Sequence, residues 1–239
     1  MDKLNYSSYL GVPELLALQH PRSSPNVVET RTAEHFFIIA HQASELWICQ
    51  VLLDLRLAIT ALASDIDDQA RCKMAGPHLR RSVVGVSVLN HHLKALSELP
   101  VEEFHAFRRK LGTASGAQSH QFNEYFRIVG IFDPPGPLLE AFNRLIARYN
   151  ISFKELWDEE ARVDHPHLLP IAESLLDLAS VTWRWQATHI KLASHFLGDA
   201  PGTGGTTGAE FLRDRLRFPF EELRPDGFER YLDEHLYKD

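Results

Sequence analysis

The chain has 239 residues, long enough to bury a sizeable core as one domain, with 25 Lys and Arg against 32 Asp and Glu and a net charge of −7. That acidic balance argues against a broad nucleic-acid surface, which needs clustered cations to neutralise phosphates. The two cysteines, Cys49 and Cys72, form no CxxC or CxxCH pattern, so neither a disulfide framework nor covalent cofactor attachment is expected, and a reducing cytoplasm fits.

The N-terminal stretch is polar, interrupted by Pro13 and without a small-residue cleavage site, so it does not read as a signal peptide. Tyr6, Tyr9 and Leu10 are apolar or amphipathic, while Gly11 and Pro13 interrupt any stable helix before Glu14. Residues 1–20 therefore read as an arm that gains little by packing on its own subunit. No segment reaches about 18 consecutive apolar residues, so no membrane span is expected.

Helical periodicity dominates the rest. From Glu34 to Leu62, Phe37, Ile38, Leu46, Ile48, Leu52, Leu55 and Ile59 recur at three- and four-residue steps without Gly or Pro, predicting one long, largely buried helix. A second helix is predicted from His78 to Leu99, stopped by Pro100, and a third from Glu102 toward Gly112. Asp133-Pro134-Pro135-Gly136-Pro137 is a break, after which Leu138 to Tyr149 and Leu168 to Leu197 return to the helical period. Residues 202–208 (Gly-Thr-Gly-Gly-Thr-Thr-Gly) form a loop by composition, followed by a last helix from Ala209 to Leu216. Strand-like alternation is almost absent, and no repeat or long linker divides the chain. The prediction is an all-α fold forming a single domain over residues 1–239.

Several residues along these helices invite chemistry. His41 shares a helix side with Phe37, Ser44, Glu45 and Ile48; an imidazole there is either a satisfied core residue or a pocket residue facing a ligand. Arg108 follows Phe104 by one turn and is either a solvated surface arginine or a bidentate clamp for a carboxylate. The Asp164-His165-Pro166-His167 cluster reads as solvated, and with HExxH absent a metal-hydrolase site is disfavoured. His189, on a helix with Trp185, is a structural histidine or an axial iron ligand. The glycine loop lacks the Gly-Lys-Ser/Thr ending of a nucleotide-binding loop; it is a plain connector or a cradle of backbone N–H groups for a carboxylate.

Four blocks, in order, resemble the tryptophan 2,3-dioxygenase family: Asn5 to Leu10, Phe36 to Trp47 with its His-Gln-Ala-Ser-Glu-Leu-Trp core, Phe104 to Ser119, and Trp185 to His189 followed by Gly202 to Gly208. The similarity spans most of the chain. It implies an all-helical haem-binding fold, non-covalent haem b, and dioxygen chemistry on an aromatic amino acid such as tryptophan. His189 matches the proximal haem ligand and His41 the distal histidine near the indole nitrogen. Phe37 and Leu111 match apolar pocket walls, Arg108 the holder of the substrate carboxylate, and Thr203 the partner of the substrate ammonium. Trp185, Gly202 and Gly204 fall in the blocks expected beside the cofactor. Tyr6 and Tyr9 match tyrosines that reach a neighbouring subunit's site, implying a dimer or homotetramer.

Three departures bear on substrate and outcome. Phe104 stands where the family usually has a tyrosine, Ala117 replaces an aromatic residue, and the region between Gly130 and Trp183 is shorter than usual. Two other readings stay open at this point. One is a haem-dependent monooxygenase hydroxylating an indole or tyrosine-type substrate in secondary metabolism, although Ala193 removes the cysteine through which some such relatives cross-link haem. The other is a non-catalytic haem-binding or sensor protein, which needs His189 but not Arg108 or Thr203.

Overall fold

The computed structural model of the protein describes residues 4–225, so residues 1–3 and 226–239 of the predicted domain lie outside it. Among the described residues all regular structure is helical, as predicted. The chain starts with two single-turn helices, α1 (Tyr6–Leu10) and α2 (Val12–Leu16), where sequence alone predicted none. Gly11 and Pro13 punctuate helices here rather than prevent them. Gly11 takes φ 60° and joins the two turns, and Pro13 sits in the first turn of α2, where a missing N–H costs no intrahelical bond.

α3 (Val28–Ala63) runs for 36 residues and starts earlier than predicted. α4 (Asp68–Leu96) also starts well before the predicted His78. Asp67 caps it by accepting from the Ala70 N–H at 2.9 Å. Pro77 lies inside the helix on its exposed side, where the carbonyl it leaves unpaired can face water. The α3–α4 pair is close-packed around Gly85, where a Cβ would stand 2.5 Å from Val51 Cγ2.

A buried ionic anchor joins the same helices. Asp54 of α3, 1% exposed, receives His78 Nδ1 at 2.7 Å, Gln50 Nε2 at 3.0 Å and the Arg81 guanidinium. Burial alone would raise its pKa; the bonds from Arg81, His78 and Gln50 outweigh burial and hold it at about 2.

α5 (Val101–Arg108) tightens into a 3-10 turn over Arg109–Leu111 that ends at Gly112. α6 (His120–Ile128), not anticipated from sequence, is capped by Ser119 accepting from the Phe122 N–H at 3.2 Å. α7 (Gly136–Ile146) follows the proline-rich break, α8 (Glu159–Asp164) is short, and α9 (Leu169–Leu197) packs along α4. α10 (Ala209–Arg213) is shorter than predicted.

Two apolar clusters fill the interior. The larger joins α3, α4, α6, α7 and α9. The smaller gathers Ala33, Leu93, Phe104, Phe107, Leu192 and Phe196, with Phe37, Leu111 and Trp185 against it, at the end where the candidate site lies.

Three further details depart from expectation. Leu46, counted with the buried face in the sequence, is 58% exposed, because at 3.6 residues per turn it falls on the face of exposed Ile39, Leu53 and Leu57 rather than on that of buried Ile48 and Leu55. His165 and His167 are half-buried rather than solvated: the His167 Nε2–H donates to Tyr149 Oη at 2.9 Å, and the Tyr149 hydroxyl donates to Asp68 Oδ2 at 2.8 Å. α3 is also long and apolar enough to cross a bilayer, with mean hydropathy 1.7 over 18 residues, yet 44% of that window is buried within the fold. It serves as a core helix.

Candidate active site

Two histidine-bearing helices and two loops converge at the smaller cluster. On α3 the His41 Nδ1–H donates to the Phe37 carbonyl at 2.7 Å, because a carbonyl oxygen can only accept. This leaves Nε2 with its lone pair. The His41 ring rests 4.0 Å from the Phe37 ring, centroid to centroid. His41 keeps accessible surface, yet burial among surrounding atoms pushes its pKa down against the Phe37 bond and the Glu45 charge, as befits a group lining a recess.

Phe37 then leads across the site. It lies 5.9 Å from Phe104 and 5.5 Å from Phe107 on α5, and Phe104 lies 4.7 Å from Phe196 on α9. These rings form an apolar floor with Leu111 packed against it. Phe104 is 6% exposed, and its ring meets Phe37, Phe107 and Phe196 within a cluster that also holds Leu93 and Leu192.

His189 lies on α9 seven residues before Phe196, hence on the same helix face. Burial and, after it, the nearby His41 together lower its pKa to about 4. The His41 imidazole thus sits close enough to discourage protonation of His189, and with both values pushed down the two rings are neutral at neutral pH. The ring of His189 stacks on Trp185 at 5.0 Å and makes no hydrogen bond to a described residue. A neutral, desolvated imidazole with uncommitted nitrogens has the donor chemistry required of a haem-iron ligand, so the site fits that group.

The rim is made by Arg108 and the two loops. Arg108 Nη2 donates to Pro201 O at 2.5 Å, while its Nε is buried with no partner. An orphaned guanidinium donor is costly unless an acceptor meets it, and a carboxylate is the matching acceptor. The Thr203 hydroxyl donates to Ala114 O, and a Cβ on Gly204 would stand 2.7 Å from Ser115 Cβ, so residues 201–208 are docked on residues 112–118 rather than hanging free. Gly202 N–H closes the loop on Thr206 O at 3.0 Å, whereas Gly204 N–H makes no backbone bond.

His41, Phe37, Phe104, Leu111, Arg108, Thr203, Trp185 and His189 are therefore brought together. Tyr6 and Tyr9 are not: on α1 they are 78% and 73% exposed. The arm leaves beside His41, however, because Gln42 Oε1 accepts from Gln19 Nε2 at 2.7 Å and Gln42 Nε2 donates to Leu18 O at 3.1 Å. Sequence reasoning missed Phe107, Phe196 and Phe122. Phe196 was legible as the residue two turns beyond His189; Phe122 sits on the unread α6.

The cavity of about 450 Å³ bordered by Trp157, Glu173 and Pro225 lies elsewhere. Glu173 is 16 residues before His189 on one continuous helix, roughly 24 Å away at 1.5 Å per residue.

The family model described as tryptophan 2,3-dioxygenase matches residues 1–131, a stretch that contains His41 and Arg108. A tryptophan 2,3-dioxygenase of a Nocardioides species is 31% identical, with 92% of each chain covered. That of Ruegeria pomeroyi is 29% identical over 93% of this chain and 90% of its own. That of Kineococcus radiotolerans is 30% identical over 91% and 88%. The chain belongs to the tryptophan 2,3-dioxygenase family.

Proposed function

We propose that this chain is a haem-dependent oxygenase that oxidises tryptophan, or a substituted tryptophan, in the manner of a tryptophan 2,3-dioxygenase. The observation that carries the reading is the pairing of a neutral, uncommitted His189 with His41 across a recess whose rim offers the unpaired Arg108 Nε. A sensor needs only the first of these.

Haem b, held by a nitrogen of His189 and flanked by Trp185, would supply the activation of dioxygen by which family members place both oxygen atoms across the indole C2–C3 bond. The remaining work belongs to the chain. Arg108 binds the substrate carboxylate through Nε–H, and Nη2, held by Pro201, fixes the plane of the fork. Thr203, whose hydroxyl hydrogen is taken by Ala114 O, presents oxygen lone pairs to the ammonium. His41 accepts the indole N–H at Nε2, since Nδ1–H is committed to Phe37 O. Phe37, Phe104 and Leu111 wall the ring and exclude water. Together these contacts set the reacting bond in one orientation, the entropic part of catalysis. Gly204, with its free N–H, is the loop position suited to a haem propionate, and Gly202 shapes the turn that presents it.

An oligomer, dimer or tetramer, follows from the same reading. Tyr6 and Tyr9 are exposed aromatic area on an arm anchored next to His41, and Phe36, Ile39, Leu46, Leu53 and Leu57 leave an apolar stripe of α3 uncovered. A second copy covers such area best by symmetry. Sedimentation should give at least a dimer, and removal of residues 1–10 should weaken substrate binding while the haem spectrum persists. A fully active monomer after that removal ends the arm reading. Free Cys49 and Cys72 suit a reducing compartment such as the cytoplasm.

Incubation with tryptophan, a reductant and isotopically labelled dioxygen tests the activity. Product carrying two labelled atoms is expected. One labelled atom makes the protein a hydroxylase, and no turnover of any aromatic amino acid by the haem-loaded protein removes the enzymatic reading.

A further inference from the structure

An imidazole turns readily about its Cβ–Cγ bond, whose torsional preference is broad. Histidine ligands are therefore usually held in plane by a hydrogen bond from the second ring nitrogen to a carbonyl or carboxylate. His189 makes no such bond to a described residue, and its ring contact is Trp185 alone, stacked at 5.0 Å with planes 29° apart. Trp185 in turn is stacked on Phe122 of α6 at 5.0 Å, with planes only 18° apart. Phe126 also touches Trp185, but at 5.9 Å and tilted by 48°. Rings thus lie nearly parallel along Phe122, Trp185 and His189, with Phe126 outside the stack.

The far end of this stack is fixed on both sides. Gln121, next to Phe122, donates from Nε2 to the Glu45 carbonyl at 3.0 Å and to Glu45 Oε2 at 2.8 Å, tying α6 to the His41 helix. Tyr125, one turn on, bonds through its hydroxyl to buried Thr182 Oγ1 of α9. Because the Thr182 hydroxyl donates to Leu178 O, the Tyr125 hydroxyl is the donor of that pair. α6 cannot slide along α9 without breaking one of these bonds.

We propose that Phe122 is a positioning residue for the iron ligand: clamped by α6, it holds the Trp185 ring, and Trp185 sets the plane of the His189 imidazole that a hydrogen bond would set in most haem proteins. The inference rests on haem binding at His189. It adds that plane control is exerted by stacking and originates on α6. Ligand-plane orientation is one of the few levers a protein has on bound iron, alongside axial identity and burial.

The test uses the haem-loaded protein and reads the iron spectroscopically. Phe122→Leu keeps an apolar side chain but removes the stack, and Phe126→Leu removes a ring of the same cluster whose contacts with Trp185 and Phe122 are tilted, so that the parallel stack itself stays in place. Phe122→Leu should shift and broaden the ferrous iron–histidine stretching band and the ferric g-values, with haem content unchanged; Phe126→Leu should leave them as in the parent, and Phe122→Tyr should restore them. Should Phe122→Leu not fold, Trp185→Phe against Phe126→Leu decides, with the same pattern expected. Equal shifts in the Phe122 and Phe126 variants, or none in either, overturn the proposal. Absence of haem at His189 in the parent protein would instead overturn the functional reading beneath it, so the two failures are separable.

Discussion

The two sides of the site are built differently. Around His189 everything is helix and ring: Phe122, Trp185 and the imidazole stack on α6 and α9, both held by buried bonds such as Tyr125 to Thr182. Around the rim, Arg108 and Thr203 meet backbone carbonyls of loops, and one guanidinium donor has no partner. Helices fix positions to a fraction of an ångström, as an iron ligand demands. Loop carbonyls can exchange their partners, as a substrate arriving with its own carboxylate demands. On the proposed reading, the division places rigidity where haem would sit and adaptability where the substrate would enter.

The largest break in this comparison is His189→Ala. Removing the one uncommitted imidazole on the rigid side should abolish axial ligation and activity together, read from ferric and ferrous absorption spectra. An unchanged spectrum would move the ligand elsewhere. On the adaptable side, Arg108→Ala should spare the spectrum and weaken substrate binding by roughly 1.5–3 kcal/mol, the value of a charge-assisted hydrogen bond, or roughly 10- to 150-fold in Kd. Arg108→Lys should also be impaired because an ammonium cannot reproduce the fork. Equal affinity for tryptophan and its decarboxylated amine would remove Arg108 from the substrate's reach.

The rigid side was also the harder to read from sequence. The periodicity of α3 and α9 located both histidines, and the motif blocks gave their pairing before any geometry. The stack was not legible, because it depends on α6, whose Phe122, Tyr125 and Phe126 do follow helical spacing behind the Ser119 cap but span only nine residues. Short helices carry too few turns for a pattern to stand out. The start of α4 misled in the opposite direction: the helix begins at Asp68 rather than at the predicted His78, and it tolerates Pro77 at an exposed position inside it. The docking of the glycine loop onto Ala114 and Ser115 was beyond composition, since loop residues of the same kind also make free linkers.

Asp54 sharpens the comparison from outside the site, since it anchors α3 without touching either side. Its folded pKa of about 2 lies below the ordinary value of 3.8. The stabilisation is therefore complete above the ordinary value and is lost as pH falls through the folded one, worth roughly 2 kcal/mol at about 1.4 kcal/mol per unit. Asp54→Asn should lower the melting temperature at neutral pH and flatten the acid limb of the stability curve, with iron spectra and substrate affinity unchanged. A spectral change would mean that the anchor and the site are coupled through α3.

The smallest expected effect is at Phe104, which faces both sides at once. Its ring touches Phe37 and Phe196 and is 6% exposed, so a hydroxyl added by Phe104→Tyr enters an aromatic setting where burial without a partner costs about 1–3 kcal/mol. The family resemblance implies a tyrosine here whose hydroxyl would help hold the substrate carboxylate, a gain of about 1 kcal/mol. Both terms act on different states of the protein, which makes them separable. Without substrate, Phe104→Tyr should lower thermal stability modestly; with saturating tryptophan, the deficit should shrink, and Kd should tighten by about fivefold. A deficit that persists unchanged with substrate would mean that the Phe104 edge points away from the carboxylate site, toward Phe196, and that this chain positions its substrate through Arg108 and Thr203 alone.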